Sequence, residues 1–205
     1  MVFSFIHATK SGGTSLEKYF SEHYSAYITG RGHEAICTNS NNPIIVVRDV
    51  KDRFFSMYKY WKNGSEKAEF QRTGQWIEQH KNVSVIDFIN LLKTKNESLC
   101  ADFTWDQHFH PTTMWISPDM DYKNLIVIKY DQNLNDKAQK LIDLLCIPKP
   151  ANWVTVPFEN VSKTDNCDYT CMNECVDAFI NEYFKCDIEL MEKIEKRPEI
   201  FKLVI

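Results

Sequence analysis

The chain has 205 residues, 43% of them hydrophobic, and a formal net charge of -4. That length suits one buried core and a single domain over 1–205, while the acidic balance argues against a surface built for general nucleic-acid binding, which needs a basic excess. Seven cysteines are an odd number and too sparse for a disulfide scaffold. No run approaches the roughly 18 apolar residues of a membrane span, and no basic segment leads into an apolar signal region. The expectation is a cytoplasmic chain with no transmembrane segment, although four Asn-x-Ser sequons, at Asn63, Asn82, Asn96 and Asn160, leave a secretory route open.

The first predicted element is VFSFIHAT, Val2 to Thr9, a short apolar run that ends at a glycine turn and reads as a buried strand. TSLEKYFSEHY then sets Leu16, Tyr19, Phe20 and His23 on one helical stripe, with Thr14 or Ser15 available as the cap. A short strand, AYIT, is expected next. Ile44 to Val47 form a β-branched run suited to a strand buried on both faces, and from Lys51 the pattern turns helical with Phe54, Tyr58 and Trp61 in register. Asn63 to Asp121 reads as a polar and aromatic insertion that starts with a mobile excursion near the mouth of the site and contains one helix, VSVIDFINLLK. A further strand is expected at Leu125 to Tyr130, then the amphipathic NDKAQKLIDLLCI, then one long helix from about Tyr169 to Lys196. Cys167, Cys171 and Cys175 repeat at helical spacing, which suggests thiols buried along one face; at i, i+4 and i+8 they cannot all converge on one metal ion. A disulfide from this group to Cys186 is the other option. Strands alternating with helices predict an α/β fold, a P-loop-like three-layer arrangement with a central, mostly parallel sheet flanked by helices.

The segment HATKSGGTSL, between the first strand and its helix, carries the chemistry. A Walker-type loop, G-x-x-x-x-G-K-[ST], puts its lysine directly after the last glycine. Here Ala8 replaces the first glycine, Thr14 stands at the lysine position, and the lysine, Lys10, precedes the glycines instead. What remains is a pair of glycines, Gly12 and Gly13, that let backbone amides approach an anion at a helix N-terminus, with an amine entering from the strand side. That order suits a 5′-phosphate whose leaving bond lies close to the lysine.

At these residues the sequence resembles the PAPS-dependent sulfotransferases, whose 5′-phosphosulfate loop reads PKTGGTSL in the carbohydrate branch and PKSGTTW in the cytosolic one. Ala8 and Thr9 depart from the Ile-Pro that usually precedes the lysine, which softens the turn and removes no catalytic group. A second stretch, VVRDVKDRFFSMYKYW, is similar to the family's 3′-phosphate segment, with Arg48 at the end of a buried strand and Ser56 eight positions later on the next helix. A guanidinium can fork onto phosphate oxygens and a hydroxyl can donate to the same group, while Asp49 and Asp52 are expected to orient the neighbouring basic residues. DQHFHPTTMWI, LIVIKYDQNLNDKAQKLIDLLCI and ENVSK resemble later family segments. Lys163 is either near the 3′-phosphate or a solvated surface lysine.

The resemblance implies that 3′-phosphoadenosine 5′-phosphosulfate (PAPS) is the co-substrate and PAP the product, with no metal. It implies cofactor contacts from Lys10, Ser11, Gly12, Gly13, Thr14, Ser15, Arg48, Ser56 and Lys163, and an acceptor hydroxyl, on a glycan by the likeness to the carbohydrate branch. Sulfuryl transfer needs in-line positioning, charge neutralisation at the leaving oxygen by Lys10, and a base. Histidine is the usual base, and His33 in GRGHEAI matches the family's position for it; His110 or His108 ranks second, as pocket-lining residues, and Glu34 third. His7 is either part of this site or core packing, and His23 and His80 read as surface residues. Trp61, Trp76, Trp105 and Trp115 either stack on sugar rings or pack in the core. Two other readings stay open: a kinase or NTPase with a degenerate phosphate loop, and a non-catalytic module that binds PAP.

Overall fold

The computed structural model describes residues 2–34, 42–63, 74–99, 109–131, 133–149, 152, 154–157 and 173–204. Five strands, β1 (Phe3–His7), β2 (Ile28–Gly30), β3 (Pro43–Val47), β4 (Ile126–Lys129) and β5 (Lys202–Val204), form one sheet in the order β2-β1-β3-β4-β5. Every neighbouring pair is parallel. Among the described residues the helices are α1 (Gly13–His23), α2 (Val50–Asn63), α3 (Gly74–His80), α4 (Val85–Leu99), α5 (Leu134–Leu144), α6 (Asn173–Tyr183) and α7 (Lys185–Lys196). None is long and apolar enough to cross a membrane.

The continuous apolar strands follow from burial on both faces. Phe3, Phe5, Ile44, Val46, Ile126 and Ile128 turn to one side, where Leu16, Tyr19 and Phe20 of α1 and Leu134, Ala138, Leu141 and Ile142 of α5 cover them. The alternate residues Ile6, Ile45, Val47 and Val127 turn to the other and pack on Trp115, Ile116 and, from α7, Leu190 and Ile194. Full burial of each such side chain contributes about 1.5–3 kcal/mol, so the sheet is the centre of the fold. A third cluster joins Phe54, Met57, Tyr58 and Trp61 of α2 to Phe88 and Leu92 of α4 and Val176 and Phe179 of α6.

Several expectations need correction. Two helices, α6 and α7, stand where one was expected from about Tyr169 to Lys196, because the buried Phe184 (φ -105, ψ 25) breaks the run between them. The break lets Phe184 join the α2/α4/α6 cluster while Leu190 and Ile194 reach the sheet, which one straight stripe would not do. Cys175 and Cys186 are exposed free thiols, so neither the buried-thiol face nor the bridge to Cys186 holds for them; Cys167 and Cys171 lie outside the described residues. Gly12 is the N-cap of α1, with no side-chain cap bond, and Thr14 and Ser15 lie inside the helix. His23 is exposed, as its surface reading expects, and of the stripe Leu16, Tyr19 and Phe20 are buried. The expected excursion is largely outside the described residues, but its end, Gly74–His80, is helical.

Topology locates the site. The chain passes from β1 to β2 on one side and then to β3 on the other. In open α/β sheets, the crevice beyond the carboxyl ends of two strands at such a reversal is where ligands bind. The residues that follow β1 and β3 are Ala8 to Gly12 and Arg48.

Candidate anion-binding site

The turn after β1 is tight: Ser11 donates both its amide (3.3 Å) and its hydroxyl (2.6 Å) to the Ala8 carbonyl. Lys10 takes a left-handed conformation at φ 59 and Gly12 another at φ 84, so the backbone reverses into α1 within a few residues. A Cβ on Gly12 would lie 2.1 Å from the Tyr130 ring, and one on Gly13 2.2 Å from His7. Glycine is therefore required by close approach as well as by φ at Gly12. The first-turn amides of α1 have no partners within the helix and point back toward this loop with the positive end of the helix dipole.

Lys10 and Arg48 are brought together here. The Lys10 amine lies 4.4 Å from the centroid of the Tyr60 ring on α2, and burial, then the Arg48 charge, push it down to about 8. Arg48 donates from Nη1 to the Lys10 carbonyl at 3.4 Å, and its guanidinium sits 4.8 Å from the Tyr130 ring centroid. Its Nε is buried and has no hydrogen-bond partner among the described residues. Two cations that repel one another, backed by aromatic rings and with an unused buried donor on one of them, make an environment that an anion relieves. Ser15 is buried and Thr14 half-buried in the first turn of α1, and Ser56 is half-buried two turns into α2.

Sequence reasoning missed the group that fixes this loop. Arg53, fully buried on α2, donates from Nε to the Thr9 carbonyl (2.9 Å) and from Nη2 to the His110 carbonyl (2.6 Å), and pairs with Asp187 of α7 at 3.5 Å. Asp187 also accepts from the Thr112 amide (2.6 Å), the Thr113 amide (2.9 Å) and the Thr113 hydroxyl (3.1 Å). Burial pushes Arg53 down to about 10, against the opposing pull of Asp187, so it stays cationic at neutral pH. Asp49 and Asp52 do not orient these cations as expected. Asp49 is exposed and accepts the Asp52 amide at 2.9 Å, closing the start of α2. The carboxylate that orients an arginine comes instead from the far end of the chain.

Beyond β2 the chain stays beside β1, with Arg31 N donating to Phe5 O (2.8 Å) and His7 N to Gly32 O (3.1 Å). This brings His33 to the same carboxyl edge, exposed at the surface. Its Nδ1 lies 2.8 Å from the His7 carbonyl, and its own carbonyl accepts the Trp115 indole N–H at 3.0 Å. A carbonyl only accepts, so Nδ1 carries a proton, and in the neutral form of the ring Nε2 is the nitrogen without one. His7 is buried, and its Nε2–H donates to Glu17 at 3.1 Å. His110 is half-buried beside Trp115, with ring centroids 5.8 Å apart. Glu34 is exposed and pairs with Arg31 at 3.4 Å. His80 is half-buried, with its ring edge-on against Trp61. Trp61 and Trp115 are buried core residues. His108, Trp105, Lys163 and the side chain of Trp76 lie outside what is described. Among the described residues no group of three or more His, Cys, Asp or Glu is placed to hold a metal ion.

The site thus sets Lys10 and Arg48 together at the reversal of a parallel sheet, with the His33 imidazole on its β2 side. Comparison of the chain with family models, with curated proteins and with solved structures returns no match.

Proposed function

We propose that the chain is a sulfotransferase that moves a sulfuryl group from PAPS to an acceptor hydroxyl, on a glycan. The observation that carries the reading is the convergence of Lys10, ahead of Gly12 and Gly13, with Arg48 from the neighbouring strand, two cations with a buried donor to spare. Adenosine 3′,5′-bisphosphate is a ligand with two phosphates to match two cations. In this reading the loop amides and Lys10 take the 5′-phosphate, and Arg48 with Ser56 takes the 3′-phosphate. Ser11, Thr14, Ser15 and Lys163 complete the nucleotide contacts carried over from the family resemblance, and His108 and His110 belong to the acceptor side.

The chemistry is an in-line displacement at sulfur. His33 Nε2 removes the proton of the acceptor hydroxyl as its oxygen forms a bond to sulfur. The bond between sulfur and the bridging 5′-phosphate oxygen breaks, its electron pair stays on that oxygen, and the Lys10 ammonium neutralises the charge. PAP and a sulfated acceptor leave. Lys10 has to be protonated for this role, which an amine held at about 8 satisfies at neutral pH. The position after the glycines, where a nucleotide triphosphatase keeps its lysine, holds Thr14, and this favours sulfuryl over phosphoryl transfer. The same reading takes the chain as a cytoplasmic, single-domain enzyme of the three-layer P-loop-like class that binds no nucleic acid, consistent with its acidic balance. Incubation with 35S-labelled PAPS and a panel of glycans is the test. Transfer of label lost in Lys10→Met is the expected result, and tight PAP binding without transfer to any hydroxyl acceptor would reduce the chain to a binding module.

A further inference from the structure

We propose that Glu17 and His7 are positioning residues for His33, holding its ring so that Nδ1 keeps its proton and Nε2 is the basic nitrogen. The inference rests on the reading of His33 as the base. Glu17, on α1, divides its carboxylate between two partners: Oε1 accepts the Gly32 amide at 2.7 Å and Oε2 accepts His7 Nε2–H at 3.1 Å.

Each partner acts on His33 from a different direction. Gly32, at φ 54, is the second residue of a tight turn closed by Glu34 N donating to Arg31 O (3.0 Å), and His33 is the third. Pinning the Gly32 amide therefore sets where His33 leaves the backbone. His7 supplies the carbonyl that takes the Nδ1 proton, and its ring meets the His33 ring edge-on at 4.5 Å, closing off other rotations. The His7 ring is itself wedged against Gly13, where a Cβ would come within 2.2 Å. Gly30 makes room for the carboxylate, since a Cβ there would lie 2.6 Å from Glu17 Oε1. The hydrogen bond from His7, opposed in part by burial, holds Glu17 below the ordinary carboxylate range, so it is ionised and accepts at both oxygens at neutral pH.

This arrangement matters because an imidazole in water favours the opposite tautomer, with the proton on Nε2, which leaves no lone pair at that nitrogen for an acceptor hydroxyl. Hydrogen bonding at one ring nitrogen decides the proton's place on the other. With glutamine at 17, one oxygen must be replaced by an NH2 group, so either Gly32 N–H or His7 Nε2–H loses its acceptor.

The experiment uses the full chain labelled with 15N at histidine, with the His33 ring signals assigned by their loss in His33→Ala. Wild-type protein should give the nitrogen shifts of an Nδ1–H ring, and Glu17→Gln should give a mixture with the Nε2–H form. In the sulfuryl-transfer assay, kcat should fall about 10- to 100-fold in Glu17→Gln, while the Kd for PAP stays within about twofold of wild type because Glu17 bonds Gly32 and His7, neither of which is a nucleotide contact. An unchanged His33 tautomer in Glu17→Gln overturns the proposal. Should Glu17→Gln fail to fold, Glu17→Asp, which keeps the charge but falls one methylene short, carries the same two outcomes. If the wild-type chain transfers no sulfuryl group, the functional reading fails, and the tautomer measurement still decides the inference.

Discussion

Binding of PAP should be accompanied by proton uptake at alkaline pH, and the proton should go to Lys10. In the free protein, burial and the Arg48 charge hold the Lys10 amine at about 8. A phosphate in the crevice supplies the opposite charge and returns the amine toward its ordinary value of about 10.4. The sign follows from linkage: a group whose pKa rises on binding takes up protons between its free and bound values, and affinity falls as pH climbs through that window. With a free value of about 8, roughly a tenth of Lys10 is charged near pH 9, so binding takes up about 0.9 proton there and about 0.1 near pH 7. Above pH of about 8 the affinity should drop by close to tenfold per pH unit. The ligand's phosphates, with second pKa values of about 6, are already ionised and contribute nothing to this window. Calorimetric titrations at one pH in two buffers of different ionisation enthalpy count the protons directly. Lys10→Met should bind weakly and without uptake. PAP binding near pH 9 with no proton taken up would refute the placement of Lys10 against the phosphate.

The other expectations concern single substitutions. His33→Ala should keep the wild-type affinity for PAP and lose about 10²- to 10⁴-fold in turnover, the usual range for a general base; full turnover would remove His33 from the mechanism. Gly12→Ala forces a side chain to φ 84 and into the Tyr130 ring at 2.1 Å, so it should cost about 1–3 kcal/mol in urea denaturation and weaken PAP binding through the Arg48 that lies on that ring. An unchanged midpoint and affinity would mean that the loop opens easily. Arg53→Met leaves Asp187 buried without its guanidinium and should destabilise by about 3–5 kcal/mol; a loss below about 1 kcal/mol in the same assay would show that the pair does not clamp Thr9 and His110.

Much of the sheet was legible because its strands are buried on both faces. A run such as Pro43–Val47 has no polar alternation to confuse its reading, and the strand-glycine-helix order around Lys10 is local chemistry. The break at Phe184 carries no glycine or proline, and only the need to feed two separate clusters explains it. Arg53 looked like one more charge in an amphipathic helix, and its carboxylate partner lies 134 positions away, beyond the reach of spacing arguments. Glu17 sits in the helix sequence as a solvent-facing residue would, and becomes part of the site only because α1 crosses beside the end of β2. Positions of this kind are fixed by the crossing of elements rather than by periodicity. The only usable hint was Gly30, three positions before His33, since a glycine there signals close approach by some side chain without naming it.

In the proposed site, Lys10 and Arg48 divide the two phosphates of one nucleotide between them. Calorimetric titration of wild-type and Arg48→Ala protein with PAP, adenosine 5′-monophosphate and ATP with magnesium tests this division. Wild-type protein should prefer PAP to the other two by at least about tenfold, one charge-assisted contact's worth, and Arg48→Ala should erase the preference for PAP over the monophosphate. Tight binding of ATP with magnesium and none of PAP, or a preference for PAP that survives the loss of Arg48, would contradict it.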